Sequence, residues 1–181
     1  MESIEPEWPA PPWVRVACTT RLGGVSRGCY ADLNLGDHVG DDLSAVSRNR
    51  SILRERLSLP SEPHWLSQVH GCAVAMTAAD PRGCNADAAV ASRPGDVCAV
   101  LTADCLPVLM CDRAGTRVAA VHAGWRGLAD GVLEAAVSAL AVAPGEILCW
   151  LGPAIGPDAF EAVSYTHLRA HETSLPISYA V

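Results

Sequence analysis

Two apolar runs, Val97 to Leu101 and Leu106 to Cys111, form the most hydrophobic part of the chain, and Thr102-Ala103-Asp104-Cys105 interrupts them. Short apolar runs bounded by polar breaks read as buried strands, so the chain has to fold around a sheet that contains both. A carboxylate and a thiol at the junction of two core strands then need an explanation of their own. At 181 residues the chain is long enough to bury a full hydrophobic core without staples, and one domain is expected. That domain starts near Trp13, after an extended lead-in over residues 1–12 that ends in a proline-rich stretch.

The remaining pattern surrounds those strands with further short ones. Val14 to Thr19 is β-prone, and Gly23, Gly24 and Gly28 break it into a loop. Asp41, Asp42 and Ser44 offer caps for a helix to about Leu57, with Val46, Ile52, Leu53 and Leu57 on its buried face. Pro60 closes that helix. His64 to Val69, Ala73 to Met76, Ala88 to Ala91, Arg117 to Val121 and Ile147 to Leu151 read as strands. A second helix is expected from Leu128 to about Leu140, carrying Val132, Leu133, Ala136, Val137 and Leu140 at helical spacing. Many strands with two long helices predict a mixed α/β (α+β) domain, a mixed β-sheet core with flanking helices.

Composition narrows the function. No apolar run approaches the roughly 20 residues that span a bilayer, and the acidic, proline-bearing N-terminus is unlike a secretory signal, so a membrane is not expected as a partner. Eight cysteines suggest disulfides only in short secreted chains. Here Cys98, Cys111 and Cys149 sit in apolar runs as small hydrophobes, which implies reduced thiols and a cytoplasmic location. A net charge of -7 argues against nucleic acid, which needs a basic surface. An anionic ligand must therefore be held by a few placed arginines. Neither a G-x-G-x-x-G nor a P-loop is present, so no nucleotide cofactor is indicated.

Set apart from the expected core are three metal-competent residues, His70, Cys105 and His122, each where an apolar strand gives way to a glycine or polar turn. Two imidazoles and a thiolate suit zinc, and three protein ligands leave a fourth position open, as catalytic sites do. Taken singly, a histidine at a strand end is usually just hydrogen-bonded and a cysteine just buried. Spacing alone leaves both readings open.

Longer motifs add a second line of argument. Leu66-Ser67-Gln68-Val69-His70-Gly71, Thr102-Ala103-Asp104-Cys105-Leu106-Pro107-Val108, His122-Ala123-Gly124-Trp125-Arg126-Gly127 and Leu151-Gly152-Pro153-Ala154-Ile155-Gly156 follow one another in the order of the bacterial YfiH-like family. Thr19-Thr20-Arg21-Leu22-Gly23-Gly24-Val25-Ser26 and Leu33-Asn34-Leu35-Gly36-Asp37-His38-Val39-Gly40-Asp41 agree with it too. The chain resembles that family, also called the laccase-domain or polyphenol-oxidase family, from about Trp8 to Val163. Its members are described as purine nucleoside phosphorylases.

The resemblance implies a YfiH-like fold and places the family's metal ligands on His70, Cys105 and His122, with zinc as the metal and copper as the second choice. It implies phosphorolysis of adenosine, inosine and S-methyl-5′-thioadenosine, with a purine nucleoside and inorganic phosphate as partners, and adenosine deamination as a further activity. For deamination, a metal that lowers the pKa of its water to roughly 7 gives a nucleophile for the purine C6. The cytidine-deaminase signature H-x-E with P-C-x-x-C is absent. For phosphorolysis, Arg21 and Arg126 are the candidates to neutralise phosphate, against the plainer roles of a loop residue and a helix-start residue. Asp104 orients a ligand or takes a proton, with structural capping as the rival role. Asn34 and Gln68 either bind base and sugar or satisfy backbone groups, and Trp125 either stacks on a purine or packs.

Two other activities use the same residues. One is a cytosolic peptidoglycan-precursor editing hydrolase that removes a wrong amino acid from UDP-MurNAc, through a metal-activated water or through Cys105 as a nucleophile activated by His122. The other is copper-dependent polyphenol oxidation. Multicopper chemistry needs many histidines in repeated pairs, whereas this chain has six, with no H-x-H pair and with His167 and His171 in the stretch that reads as a tail. After Phe160-Glu161-Ala162-Val163 the resemblance stops. The expected organisation is a metal-binding catalytic domain over 13–163, lacking the family's C-terminal part, and a non-native tail over 164–181 that reads like translated cloning sequence.

Overall fold

The computed structural model describes residues 2–160 and the backbone of Ile177–Ala180. In chain order the elements are β1 (Ser3–Ile4), β2 (Val16–Thr19), α1 (Leu43–Leu57), β3 (Val74–Met76), β4 (Ala88–Ala91), β5 (Cys98–Leu101), β6 (Leu106–Asp112), β7 (Val118–Ala123), α2 (Trp125–Ala129), α3 (Val132–Leu140), β8 (Ile147–Leu151) and β9 (Ile177–Ala180). They form a five-stranded sheet of order β3-β4-β7-β6-β8 and a four-stranded sheet of order β1-β2-β9-β5. The β3–β4 pair is parallel, and all the other pairs are antiparallel. The expected mixed α/β architecture is what forms.

The unbroken apolar runs have a simple cause: their strands are covered on both faces. Alternate residues of β4 to β7, such as Ala89, Val100, Leu109 and Ala120, meet in a core between the two sheets. On the far side of the five-stranded sheet, Ala88, Val90, Val108, Met110 and Val121 pack on Val132, Ala136 and Leu140 of α3. Outside the four-stranded sheet, Ala17, Ala99 and Leu101 pack with Leu53 of α1. Helix, sheet, sheet and helix therefore stack in that order, and β4 to β7 have no solvent face to mark with polar residues, whereas β8 leaves Cys149 and Leu151 exposed. No helix among the described residues is long and apolar enough to cross a membrane.

Four expectations shift. His64 to Val69 does not form a strand. It makes only isolated bridges at His64 and Ser67, because its backbone bonds alternate between Val97 on one side and Cys84 and Ala86 on the other. The helix expected from Leu128 to Leu140 is two helices, broken at Asp130 and at Gly131, whose φ of 89° favours glycine. In the lead-in, Ser3–Ile4 pairs with β2 at the sheet edge, and Trp8 and Ala10 pack against the inter-sheet core. Within the stretch set aside as a tail, the backbone of Ile177–Ala180 lies between β2 and β5. The rest of that stretch, and the end of the 13–163 domain, lie outside the described residues.

Helix α1 organises the two glycine-rich motifs that precede it. Asp42 caps its start by accepting from the Ser44 N–H at 2.8 Å, and Val46 and Leu53 are buried beneath it. Asn49, fully buried, donates through Nδ2 to Ser26 Oγ and to the Asn34 carbonyl at 2.8 Å each, and to the Asp32 carbonyl at 3.2 Å. Its Oδ1 accepts from the Val25 N–H at 2.8 Å. Gly24 runs so close that a Cβ there would sit 2.3 Å from the Asp32 carbonyl oxygen and 2.5 Å from Asn49 Oδ1. One amide thus ties both motifs to the helix. Replacing it leaves several buried polar groups unpaired, so Asn49→Ala is expected to destabilise the fold by about 3 kcal/mol, read as a lowered urea midpoint at unchanged slope.

Candidate metal centre

Three separate segments deliver the metal-competent side chains to one end of the five-stranded sheet. In the antiparallel β6–β7 pair, Leu106 faces Ala123 and Pro107 faces His122, so Cys105, one residue ahead of β6, and His122, near the end of β7, arrive together. His70 comes from the loop before β3, in a left-handed conformation with φ of 60°. The three donor atoms lie within 4.8 Å of one another, and the two imidazole rings meet edge to face at 80° with centroids 4.8 Å apart. Ligands at about 2.0–2.3 Å around a tetrahedral zinc stand roughly 3.3–3.8 Å apart, so a small inward movement completes the cradle.

Gly124 leaves room for it. A Cβ at that position would lie 3.0 Å from Cys105 Sγ, 3.2 Å from His70 Cδ2 and 3.7 Å from His122 Cε1. His122 is buried, Cys105 half-buried and His70 exposed. The site is therefore closed on the protein side and open toward solvent, which is the arrangement a catalytic position needs. Donor chemistry, convergence and the glycine-sized gap all fit a transition metal held by His70, Cys105 and His122.

Electrostatics prepares the same three groups. Asp87, fully buried, places Oδ1 2.8 Å from His122 Nδ1, which leaves Nε2 as the free donor atom of that ring. Burial alone would raise the Asp87 carboxyl, but the His122 ring and the Gly71 and Val69 N–H groups hold it below the usual carboxylate range. Burial would likewise raise the Cys105 thiol, yet hydrogen bonds with His122 and His70 bring it down to about 6. His122 runs the other way: burial pulls it down, and its bonds to Asp87 and Cys105 lift it to about 9. A thiolate beside an imidazolium is the consequence.

The other residues singled out in the sequence fall into two groups. Asp104, Trp125 and Arg126 adjoin the ligands in the chain. Asp104 is half-buried, and its carbonyl accepts from the Ile155 N–H at 2.9 Å, tying the Leu151 to Gly156 motif to the Cys105 turn. Trp125 and Arg126 are exposed at the start of α2, with the Arg126 guanidinium carbon 4.7 Å from the Trp125 ring centroid. The amide of Gln68 is engaged with the backbone of Leu101, donating and accepting at 2.7 Å each. Arg21 and Asn34 belong to the loops organised by α1. Arg21 donates to the Ala31 carbonyl through Nε at 2.7 Å and also through a terminal nitrogen, and Asn34 donates to Asp41 Oδ2 at 2.9 Å and to the Gly36 carbonyl at 3.2 Å. Asp87 was not anticipated, although an acidic residue opening the apolar run Ala88 to Ala91 is a signal of a buried charge with a partner.

A family model described as multi-copper polyphenol oxidoreductase laccase matches residues 15–175. Over 159 residues the chain is 58% identical to a purine nucleoside phosphorylase of Pseudomonas aeruginosa, covering 87% of this chain and 64% of that protein. It is 56% identical to the purine nucleoside phosphorylase YfiH of Escherichia coli, covering 87% and 65%. A crystal structure of a Neisseria meningitidis protein superposes with a TM-score of 0.82 at 52% identity, over 87% of this chain and 65% of that one. YlmD of Geobacillus stearothermophilus gives 0.76 at 31% identity, over 88% and 68%. The fold and its metal-competent cleft define a laccase-domain protein. The chain belongs to the YfiH-like laccase-domain family and spans less than two thirds of the length of the curated relatives it matches first.

Two outcomes follow from the geometry. Gly124→Ala, at a φ of -66° that alanine tolerates, is expected to leave the melting temperature nearly unchanged while weakening cobalt or zinc binding about tenfold or more, read by cobalt absorption titration. Between about 6 and about 9 Cys105 is already ionised while His122 still carries a proton, and that proton must leave when a metal takes Nε2. Zinc affinity is therefore expected to rise about tenfold per pH unit across that window and to level above it, measured by competition with a chromophoric chelator.

Proposed function

We propose that the chain carries the metal-binding part of a zinc-dependent purine nucleoside phosphorylase that takes adenosine, inosine and S-methyl-5′-thioadenosine with inorganic phosphate, and also deaminates adenosine, in the cytoplasm. The observation that carries this reading is the convergence of His70, Cys105 and His122 within 4.8 Å at an end open to solvent. The names of the similar proteins from Pseudomonas aeruginosa and Escherichia coli support the choice of reaction. When bound, the metal supplies Lewis acidity at its open position.

The chain's own residues provide the rest. Phosphorolysis breaks the glycosidic C–N bond as a phosphate oxygen bonds the anomeric carbon, and the departing purine takes up a proton. Arg126 offers a cation for the phosphate beside the ligands, and Arg21 offers a second from the α1 side. The exposed Trp125 ring presents a π face for the base. Asp104, next to Cys105, is assigned to orient a ligand or to take a proton, the proton on the departing purine coming from the attacking hydrogen phosphate. Asn34 and Gln68 act by fixing the loops they bond, with contact to sugar or base as their further assignment.

Among the described residues His70, Cys105 and His122 form the one His/Cys/carboxylate cluster of this kind, which favours a single metal over multicopper oxidation. Copper at these ligands would give only weak phenol oxidation. A second reading has its own observation: a Cys105 thiol brought down to about 6, paired with a His122 that Asp87 orients, is also the layout of a cysteine nucleophile. It belongs to the hydrolase that clears a wrong amino acid from UDP-MurNAc.

Metal content by mass spectrometry, paired with release of adenine from adenosine and phosphate, separates them. The expected result is about one zinc per chain, with Cys105→Ala losing zinc and base release together while remaining folded. A folded, metal-free wild type that hydrolyses a muramyl amide would instead assign Cys105 as the nucleophile.

A further inference from the structure

We propose that Asp87 is a positioning residue that sets two of the three metal ligands at once, so that His70 and His122 cannot be placed independently. The proposal rests on the metal reading above but is argued from the hydrogen bonds of this one carboxylate. Its Oδ1 meets His122 Nδ1 at 2.8 Å and accepts from the His70 N–H at 2.9 Å. Its Oδ2 accepts from the Gly71 N–H at 2.8 Å and the Val69 N–H at 3.2 Å. Three consecutive backbone donors thus close around one side chain, as in an anion-binding nest. In the same residue, the Asp87 carbonyl accepts from the His122 N–H at 2.7 Å.

The nest explains why a histidine stands at φ of 60°. That conformation is unfavourable for a residue with a Cβ, and it persists because the carboxylate engages the N–H groups on both sides of it and at it. Gly71 adds a second constraint: its carbonyl oxygen would be only 2.9 Å from a Cβ at Gly127, so α2 is pressed against the His70 loop. On the other side, donation from Nδ1 leaves Nε2 of His122 to face Cys105 and His70. Both ring and loop depend on an acceptor with two oxygens.

An amide cannot serve both. In Asp87→Asn the NH2 group faces either the Val69 and Gly71 donors, which releases the His70 loop, or His122 Nδ1, which turns that ring's tautomer against metal binding. Zinc affinity is expected to fall about 10- to 100-fold. In the metal-free variant, the amides of residues 69–71 should exchange with solvent much faster than in wild type, while the Leu109 and Ala120 amides in the sheet keep their protection. Unchanged zinc affinity with unchanged exchange at 69–71 would overturn the proposal, and a loss of protection everywhere would reduce Asp87 to a general stabilising role.

If Asp87→Asn does not fold, the wild type decides. Slow exchange at 69–71 without metal, and His122 protonated at Nδ1 and ligated at Nε2 by 15N NMR of the zinc-loaded protein, are expected. Free exchange at 69–71 or ligation through Nδ1 would sink the idea. A wild type that binds no zinc would refute the metal reading separately, leaving the exchange measurement to decide whether Asp87 holds the His70 loop.

Discussion

The antiparallel register of β6 and β7 is the constraint on which the site depends. Pairing Leu106 with Ala123 and Pro107 with His122 places a thiol at the entrance of one strand beside an imidazole near the exit of its neighbour. A slip of one residue would send His122 to the opposite face of the sheet and exchange the two apolar faces of β7. Such a slip is strongly opposed, because Val118 and Ala120 face the inter-sheet core while Ala119 and Val121 face α3. The two-sided burial that makes these strands look featureless in the sequence is what fixes the chemistry at their ends.

Buried charge is the second theme. A thiolate, an imidazolium and a carboxylate lie in a row from Cys105 through His122 to Asp87, and each by itself would be costly to desolvate. Together they alternate in sign, and the carboxylate end is also solvated by backbone N–H groups. The same row would suit a metal, since a ligand bond at His122 Nε2 would leave the contact between Nδ1 and Asp87 in place. The site is thus built to hold positive charge at one point, whether as a proton or as a metal ion.

Much of this was legible in the chain. The core strands and helix α1 could be read from apolar runs and caps, because those features are local, and residue chemistry singled out His70, Cys105 and His122, which the fold brings within 4.8 Å of one another. The role of Asp87 could not be read, since its place at the head of the apolar run Ala88 to Ala91 signals a buried charge but not that its partners lie at Val69 to Gly71 and at His122. Asn49 is hidden for the same reason: on a helix it looks like a surface residue, while its four bonds reach Val25, Ser26, Asp32 and Asn34. The segment from His64 to Val69 is β-prone, yet it laces between two neighbours, and long-range geometry overrides propensity there.

The amides of Gln68 and Asn34 illustrate how motif residues divide their work. Gln68 copies a backbone pair against Leu101, which ties the His70 loop to the end of β5, just ahead of the Thr102 to Cys105 turn. Rigidity of that turn and of that loop is therefore shared, and Cys105 and His70 are held from both sides of the sheet end. Asn34 does the corresponding work for the loop that carries Asp41, which in turn accepts from Ser26 Oγ at 2.6 Å. Polar side chains in both motifs are spent on shaping backbone. His70, Trp125 and Arg126 face outward beside Cys105 and His122, and they present an imidazole, an aromatic face and a cation to a ligand there.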